Sequence, residues 1–165
     1  KKNINKALKF FAKIHKLEKK STFTIIGPDY GEKNALSALI DKLGLKDNIS
    51  IYGEMSFSEI KKYANSASFF VQLSSYEGLA MSVSESMQLG LVPIVTAVGQ
   101  IKSYCRHLEN SLIYQNNEND LIRNISLLIS SPEKYSIMRQ NAIDTWKNTK
   151  TYKNDIISAL NFISN

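Results

Sequence analysis

The sequence predicts an α/β protein with a doubly wound, mainly parallel, Rossmann-like sheet and helices on both of its faces. Short β-branched or apolar runs alternate with longer amphipathic segments, and short connections join them. No internal repeat, low-complexity stretch or linker interrupts this alternation. With 165 residues, of which 43% are hydrophobic and 22% charged, the chain has the size and composition of a single globular domain.

The first predicted element is a basic amphipathic helix over residues 5–19. Its apolar stripe is formed by Ala7, Leu8, Phe11, Ile14 and Leu17. Eight of the lysines fall in the first twenty residues, and most of them lie on the opposite side of this helix. Two interpretations stay open: a solvated helix face, or attraction to an anionic surface such as a phosphoinositide-like lipid or a nucleic acid. No aromatic platform accompanies the lysines, which weakens the nucleic-acid interpretation.

The remaining elements follow in alternation. Strands are predicted at 22–26, 48–52, 68–73, 92–95 and 111–114, and helices at 32–43, 56–66, 79–89, 118–130, 132–146 and 152–163. Ser56 and Glu59 have the spacing of a capping box, which marks a helix start. Gly90 stands where a helix C-cap is expected, and Ser131 followed by Pro132 is typical of a helix N-terminus.

A helix without a preceding strand is an unusual start for such a sheet, so we expect a strand before Lys1 in a longer parent protein. No apolar run reaches the ~18 residues that a membrane span needs. Nothing resembles a signal peptide. The single cysteine, Cys105, cannot form an internal disulfide and fits a reducing cytoplasm. We therefore expect a cytoplasmic protein, with peripheral contact at the inner membrane face if the lysines bind lipid.

Two acids eight positions apart, Glu77 and Glu85, mark the candidate site. Glu77 lies on the loop after the strand at 68–73, where ligands bind in open α/β sheets, and Glu85 lies two turns along the next helix. We expect that helix to be buried on most sides, so the Glu85 carboxylate would need a partner such as the two hydroxyls of a ribose. The alternatives are a glutamate that reaches solvent or pairs with a lysine, and a glycoside-hydrolase carboxylate pair, which the neighbouring anion site disfavours.

The turn at Glu77 and Gly78 predicts an anion site. The backbone N–H groups of residues 79–82 would lack partners inside the helix, and the helix dipole favours negative charge there. The glycine turn at 27–31 is not a GxGxxG fingerprint, so a dinucleotide site is unsupported. Cys105 and His107 lack an acidic orienting residue, which argues against a catalytic dyad, and two histidines with one cysteine argue against a zinc site.

Taken in order, these segments resemble the C-terminal, nucleotide-sugar-binding half of family 4 glycosyltransferases, which have the GT-B fold. Residues 2–12 resemble the family's lysine-led segment and first helix, and residues 25–55 its glycine turn, helix and next strand. Residues 56–99 follow the family signature, with its Glu-x7-Glu motif and a Gly-x-x-Pro-x-Val continuation. The segment ENSLIY and the helix start at Ser131 also have counterparts, so the resemblance covers nearly the whole chain.

The resemblance implies a domain that binds a UDP-, GDP- or ADP-sugar for a retaining transfer without a metal ion. Glu77 would face the donor sugar as the catalytic-site residue, and Glu85 would accept from the ribose hydroxyls. Lys2 would offset the charge of the diphosphate leaving group. The other residues implied to contact the nucleotide sugar are Gly27, Gly53, Glu54, Met55, Gly78, Leu79, Ala80 and Met81.

The same resemblance implies a glycan or lipid-linked acceptor, in surface polysaccharide or lipopolysaccharide synthesis, held mainly by an N-terminal domain outside these residues. The 165 residues alone are therefore expected to be inactive. The alternative is a non-catalytic module of the same fold that binds a nucleotide or a partner. Ala80 stands where the family often has a second glycine, Leu73 where it has proline, and Gln100 where it has glycine. The family's arginine ahead of the lysine falls before residue 1.

Overall fold

The computed structural model describes residues 2–115 and 117–147 of the chain. The helices are α1 (Ile4–Leu17), α2 (Lys33–Leu43), α3 (Phe57–Ser66), α4 (Met81–Gln88), α5 (Ile101–Tyr104), α6 (Glu118–Ser130) and α7 (Pro132–Lys147). The strands are β1 (Phe23–Ile26), β2 (Ile49–Tyr52), β3 (Phe69–Gln72), β4 (Val92–Val95) and β5 (Leu112–Ile113). The predicted α/β class is confirmed; the helix predicted at 152–163 lies outside the described residues.

All strand pairs among the described residues are parallel, but they form two separate ladders. One joins β1 to β2, and the other joins β3, β4 and β5 in that order. No ladder in this part of the chain connects β1 with β3, so each of these strands keeps one unpaired edge. The carboxyl ends of β3 and β4 are in register, because Gln72 pairs with Val95. The loops that follow these two strands therefore emerge side by side.

Within residues 2–115 and 117–147, three apolar clusters pack against the strands. One face of β3–β4–β5 is covered by α1 and α6, with Phe10, Leu121 and Ile125 at the centre of the cluster. The opposite face packs against α4, α5 and α7, through residues that include Val83 and Met87. A third cluster joins α1 and α2 to the β1–β2 pair. Helix α1 thus contributes to two clusters, which ties the two ladders into one body.

Local signals predict most element ends to within one or two residues. The capping box of α3 forms as predicted: the Ser56 side chain accepts from the Glu59 N–H, and Glu59 accepts from the Ser56 N–H. Two details of α1 differ from the prediction. Leu17, assigned to the apolar stripe, is 65% exposed, whereas Phe10 is 1% exposed and buried in the core.

Within the described residues, no helix has both the length and the apolar character needed to cross a bilayer.

Candidate functional site

The loop between β3 and α4 carries the first predicted acid, Glu77, in a defined hydrogen-bond network. Glu77 Oε1 accepts from Gln72 Nε2 at 2.9 Å and from Ser74 Oγ at 2.6 Å. Gln72 and Ser74 are 4% and 1% exposed, while Glu77 itself is half-buried. The amide of Gln72 reaches further, because its Oε1 accepts from Ser82 Oγ at 2.7 Å in the first turn of α4. The carboxylate is thus tied to the strand end and to the helix start.

A second loop, between β4 and α5, holds the first in place. Thr96 Oγ1 donates to the Ser74 carbonyl at 2.5 Å, and the Gln100 N–H donates to the Gly78 carbonyl at 3.1 Å. The Tyr104 hydroxyl donates to the Leu79 carbonyl at 3.2 Å. Burial raises the pKa of Tyr104, with smaller contributions from Cys105 and Glu77, so this hydroxyl stays a donor at neutral pH.

The start of α1 meets the same loop, although about seventy residues separate the two in sequence. Asn3 Nδ2 donates to the Leu73 carbonyl at 3.1 Å and to Ser75 Oγ at 2.6 Å. Asn3 adopts the left-handed conformation, with φ 50°, which asparagine tolerates better than most residues. Lys2, which directly precedes Asn3 in the chain, is exposed.

Helix α4 begins two residues later than the sequence predicts, after Ala80. The N–H of Val83 is bonded to the Ala80 carbonyl, whereas those of Met81 and Ser82 find no acceptor within residues 2–115 and 117–147. Ala80 has φ 50°, which costs a residue with a side chain roughly 1–2 kcal/mol. The glycine frequent there in the resembled family would avoid this strain. N–H groups without an acceptor make the start of α4 suited to an anion.

For Glu85, the structure decides between the alternatives that the sequence leaves open. The sequence suggests a helix buried on most sides, on which Glu85 either has a ligand partner or reaches solvent. In the structure Glu85 is exposed, together with Met81 and Gln88 on the same side of α4. The buried side of α4 consists of Val83, Ser84, Ser86 and Met87, and the Ser84 and Ser86 hydroxyls are satisfied by carbonyls one turn earlier in the helix. The desolvation argument for a Glu85 partner is therefore wrong. Its role as a ribose ligand stays a prediction that rests on the resemblance alone.

The remaining predicted residues lie at the ends of the β1–β2 pair. The Gly27 N–H donates to the Gly53 carbonyl at 3.2 Å, which joins the two loops that follow these strands. Glu54 is exposed and Met55 half-buried. No atom lies within 4 Å of a Cβ added at Gly27 or Gly53, but the φ of +153° at Gly27 strains residues other than glycine. These four residues share the carboxyl edge of β1 and β2, and their contact with a ligand stays a prediction.

A known protein family matches the chain over most of its length. The family model for glycosyl transferases group 1 matches residues 1–145. The chain belongs to this family. It is 32% identical over 114 residues to an uncharacterized glycosyltransferase of Haemophilus influenzae, an alignment covering 67% of this chain and 31% of that protein.

Solved structures show that this group 1 chain has the fold of other glycosyltransferases. A mutant of TarM from S. aureus, in complex with fondaparinux, α-GlcNAc-glycerol and UDP, matches with a TM-score of 0.83 at 20% identity; the match covers 97% of this chain and 32% of TarM. The C-terminal domain of LpcC, a group 1 family protein of Francisella tularensis, matches with a TM-score of 0.78 at 20% identity, covering 92% and 80% of the two chains. The chain thus spans about a third of the length of the H. influenzae protein and of TarM.

Cys105 and His107 have structural surroundings in this group 1 family member: the first is buried and the second accepts a backbone hydrogen bond. Cys105 is buried, and burial raises the pKa of its thiol to about 11, so little thiolate exists at neutral pH. His107 Nδ1 accepts the N–H of Ile113 at 3.0 Å. Among the described residues, no three histidine, cysteine, aspartate or glutamate side chains are grouped to hold a metal ion. Metal-independent transfer stays a prediction.

Sequence reasoning misses three residues of the site: Asn3, Gln72 and Gly99. Asn3 and Gln72 act through contacts between elements, which no local pattern encodes. Gly99 reads in the sequence only as part of the loop that follows β4, but the structure packs it against the Glu77 backbone. A polar glutamine in an otherwise apolar run, FFVQL, is the one signal in the sequence that could draw attention to Gln72.

Proposed function

We propose that this chain is the donor-binding domain of a retaining family 4 glycosyltransferase. The whole protein would transfer a sugar from a nucleoside diphosphate to a glycan or lipid-linked acceptor in surface polysaccharide or lipopolysaccharide synthesis. The observation that carries the proposal is the pair of hydrogen bonds from Asn3 to Leu73 and Ser75, which hold the start of α1 against the loop that carries Glu77 and Gly78. From there Lys2, the preceding residue, would reach a diphosphate bound at this loop. A lysine and helix N–H groups near one carboxylate would suit a diphosphate joined to a sugar.

Each residue group at the carboxyl ends of the strands has a proposed role. Lys2 and the N–H groups of Met81 and Ser82 bind the diphosphate and stabilise its charge as it leaves. Glu77 accepts hydroxyls of the donor sugar, and Glu85 accepts the ribose hydroxyls. Leu79 and Ala80 line the turn, while the loops at Gly27 and at Gly53–Met55 border the base. The donor would be a UDP-, GDP- or ADP-sugar, without a metal ion.

The relatives support a division of labour between two domains. The C-terminal domain of LpcC was crystallised as a separate domain and matches this chain over 80% of its length. We propose that the acceptor binds mainly to a further domain, and that the 165 residues alone bind donor but transfer no sugar. In the described part of the chain, β1 and β3 each have an unpaired edge, and these edges support the expected additional strand, which would join the two ladders.

Isothermal titration calorimetry of the chain with UDP, GDP and ADP tests the proposal. We expect one of the three to bind, at least about tenfold more tightly than its nucleoside, because uridine, guanosine and adenosine lack the groups that Lys2 and α4 would hold. In the Lys2→Ala variant, the same titration should give a smaller difference in affinity between the diphosphate and its nucleoside. Binding of none of the three diphosphates at millimolar concentration would contradict the proposal.

We also propose that the exposed side of α1 contacts an anionic membrane surface. All five lysines from Lys6 to Lys20 that are spaced three or four apart are exposed (Lys6, Lys9, Lys13, Lys16 and Lys20), but Lys13 pairs with Glu118 and Lys6 lies over the Tyr114 ring. Leu17, which follows Lys16 in the chain, and Ile129 are exposed, and both line a groove between α1 and α6. Apolar side chains beside lysines favour a lipid surface over a nucleic acid.

Co-sedimentation with phosphatidylglycerol vesicles tests this contact. Binding should fall at high salt and in the triple variant Lys9→Gln, Lys16→Gln, Lys20→Gln. The matched control replaces the exposed Lys42, Lys46 and Lys61 by glutamine, so both proteins lose three charges. Equal losses in the two variants, or tighter binding to single-stranded DNA than to vesicles, would contradict a lipid surface at α1.

A further inference from the structure

Gln72 is a buried polar residue at the end of a core strand. It is the last residue of β3 and is 4% exposed, and β3 otherwise consists of Phe69, Phe70 and Val71. A buried amide lowers stability unless both of its ends are hydrogen-bonded. Both ends are: Nε2 donates to Glu77 Oε1 at 2.9 Å, and Oε1 accepts from Ser82 Oγ at 2.7 Å.

The chemistry of these two contacts fixes the orientation of the amide. A carboxylate only accepts hydrogen bonds, so the NH₂ group must face Glu77. The reversed amide would set its carbonyl oxygen against the carboxylate, which is repulsive. The Ser82 hydroxyl then becomes the donor to the amide oxygen. Gln72 is therefore a directed bridge from the start of α4 to the Glu77 carboxylate.

The bridge leaves one oxygen of Glu77 available. Oε1 receives Gln72 Nε2 and Ser74 Oγ, which use the two lone pairs of that oxygen. No hydrogen bond reaches Oε2 from the part of the chain that the structure describes. Because Oε1 is held on two sides, Oε2 has a fixed direction relative to α4. A ligand hydroxyl that approaches this edge would meet an acceptor that needs no rearrangement.

We infer that Gln72 is a positioning residue that sets the affinity for the sugar part of the nucleotide sugar, by holding the Glu77 carboxylate in register with the start of α4. The inference rests on the proposed function and deepens it. Gln72 itself touches neither sugar nor phosphate. Gln72 affects the ligand only through Glu77. Replacing Gln72 should therefore weaken binding of a nucleotide sugar and leave the affinity for the nucleoside diphosphate alone nearly unchanged.

The test compares binding of nucleoside diphosphates and nucleotide sugars to the 165-residue chain. The probes are UDP, GDP and ADP, with UDP-glucose, UDP-N-acetylglucosamine, GDP-mannose and ADP-glucose. Gln72→Leu has a similar volume and removes both hydrogen bonds. We expect it to change the Kd of the diphosphate less than about twofold and to lower the extra affinity of the preferred nucleotide sugar by roughly tenfold, the effect of one hydrogen bond to a charged group.

A double-mutant cycle separates positioning from a merely structural role. In a Glu77→Gln background, Gln72→Leu should have little further effect on sugar affinity, because the group it orients has changed. Ser82→Ala keeps the Gln72–Glu77 contact but frees the other end of the amide, so it should give a smaller loss of the same kind. Ser82 is only half-buried, so this variant keeps the test open if Gln72→Leu does not fold.

Three results would overturn the inference. The first is an equal loss of affinity for diphosphate and nucleotide sugar in Gln72→Leu, and the second is full additivity with Glu77→Gln. The third is a wild-type chain that binds a diphosphate but gains nothing from any of the sugars, because no sugar recognition would then exist for Gln72 to set. A wild-type chain that binds no diphosphate at all would instead refute the proposed function itself.

Discussion

Gly99 lies directly against the backbone carbonyl of Glu77. A Cβ at position 99 would come within 2.0 Å of the Glu77 oxygen and 2.9 Å of the Gly78 oxygen, and Gly99 has φ +55°. The loops that follow β3 and β4 are therefore in backbone contact at this point. Their approach fixes the turn that carries Glu77, and only glycine permits it, since the obstructing atoms are main-chain atoms that cannot rotate away.

Gly99→Ala should lower the free energy of unfolding by roughly 2–5 kcal/mol, because overpacking adds to the left-handed strain. Gly31→Ala is the matched control: Gly31 has φ +86° but no atom within 4 Å of the added Cβ. The control should lose only the strain, about 1–2 kcal/mol. Urea unfolding measures both. Equal losses would mean that the two loops do not meet as closely as the structure has them.

Asn3→Gly should weaken nucleotide binding and lower the free energy of unfolding by about 1–2 kcal/mol, since two hydrogen bonds to the Glu77 loop are lost. Glycine accommodates φ 50° at this position, so the change isolates the side chain from backbone strain. Asn5→Ala, an exposed amide two residues further on, is the control and should alter neither quantity. An unchanged Kd for the preferred nucleoside diphosphate in Asn3→Gly would contradict a role for the α1 start in the site.

Glu85→Gln should separate binding from stability. Glu85 is exposed, so its replacement should change the free energy of unfolding by no more than about 0.5 kcal/mol. The affinity for the preferred nucleoside diphosphate should fall about tenfold, the effect expected for a charged hydrogen bond to ribose. Glu133→Gln, an exposed glutamate in the first turn of α7, is the control. A Glu85→Gln chain that binds like Glu133→Gln would remove Glu85 from the site.

Cys105 predicts a pH dependence at the alkaline end. Burial raises the pKa of the folded-state thiol to about 11 from its usual 9.0. The folded state therefore holds the proton more tightly than the unfolded state. The contribution of the protonated Cys105 thiol to stability is complete below about pH 9 and is lost as the pH rises towards 11. The free energy of unfolding, measured with urea at pH 8, 9 and 10, should fall less steeply in Cys105→Ala than in the wild type.

A wild type and a Cys105→Ala variant with parallel pH profiles would contradict the burial of the thiol. Tyr104 and Tyr135 also have pKa values raised by burial, so both proteins should lose stability at the highest pH. Only the difference between the two profiles reports on Cys105. Slow alkylation of the folded wild type by iodoacetamide at pH 8, faster in urea, would be an independent sign of the same burial.

Local sequence signals predict the order of the described elements except for α5. The capping box at Ser56 and Glu59 acts over three residues, and Gly90, with φ +78°, follows the α4 helix where a C-cap is expected. Helix α5, with four residues, escapes prediction because it is shorter than the window in which helical periodicity can be recognised. The helical periodicity of α1 puts Leu17 on the apolar stripe and leaves Phe10 off it. Periodicity gives the direction of such a stripe, but not its width or where the neighbouring elements end.

The sequence predicts the position of the site but not its contacts. The order of strand and helix correctly puts Glu77 at a carboxyl edge, because that follows from connectivity. The sequence does not decide whether Glu85 has a partner or reaches solvent; in the structure small serines pack inward on α4 and the glutamate is exposed. The links from Asn3 to Leu73 and from Thr96 to Ser74 span 70 and 22 residues, and only the tertiary fold brings these partners together.

Amide-resolved NMR of the ¹⁵N-labelled chain, titrated with UDP, GDP and ADP, tests the central claim most directly. We predict that one nucleotide changes the chemical shifts of the backbone amides of Lys2, Gly78, Met81, Ser82 and Glu85. The chemical shifts of amides at the opposite edge, such as those of Ser68 and Tyr135, should not change. Perturbation centred away from the Glu77 loop, or no perturbation at millimolar concentrations of all three, would contradict the assignment of this edge as a nucleotide-sugar site.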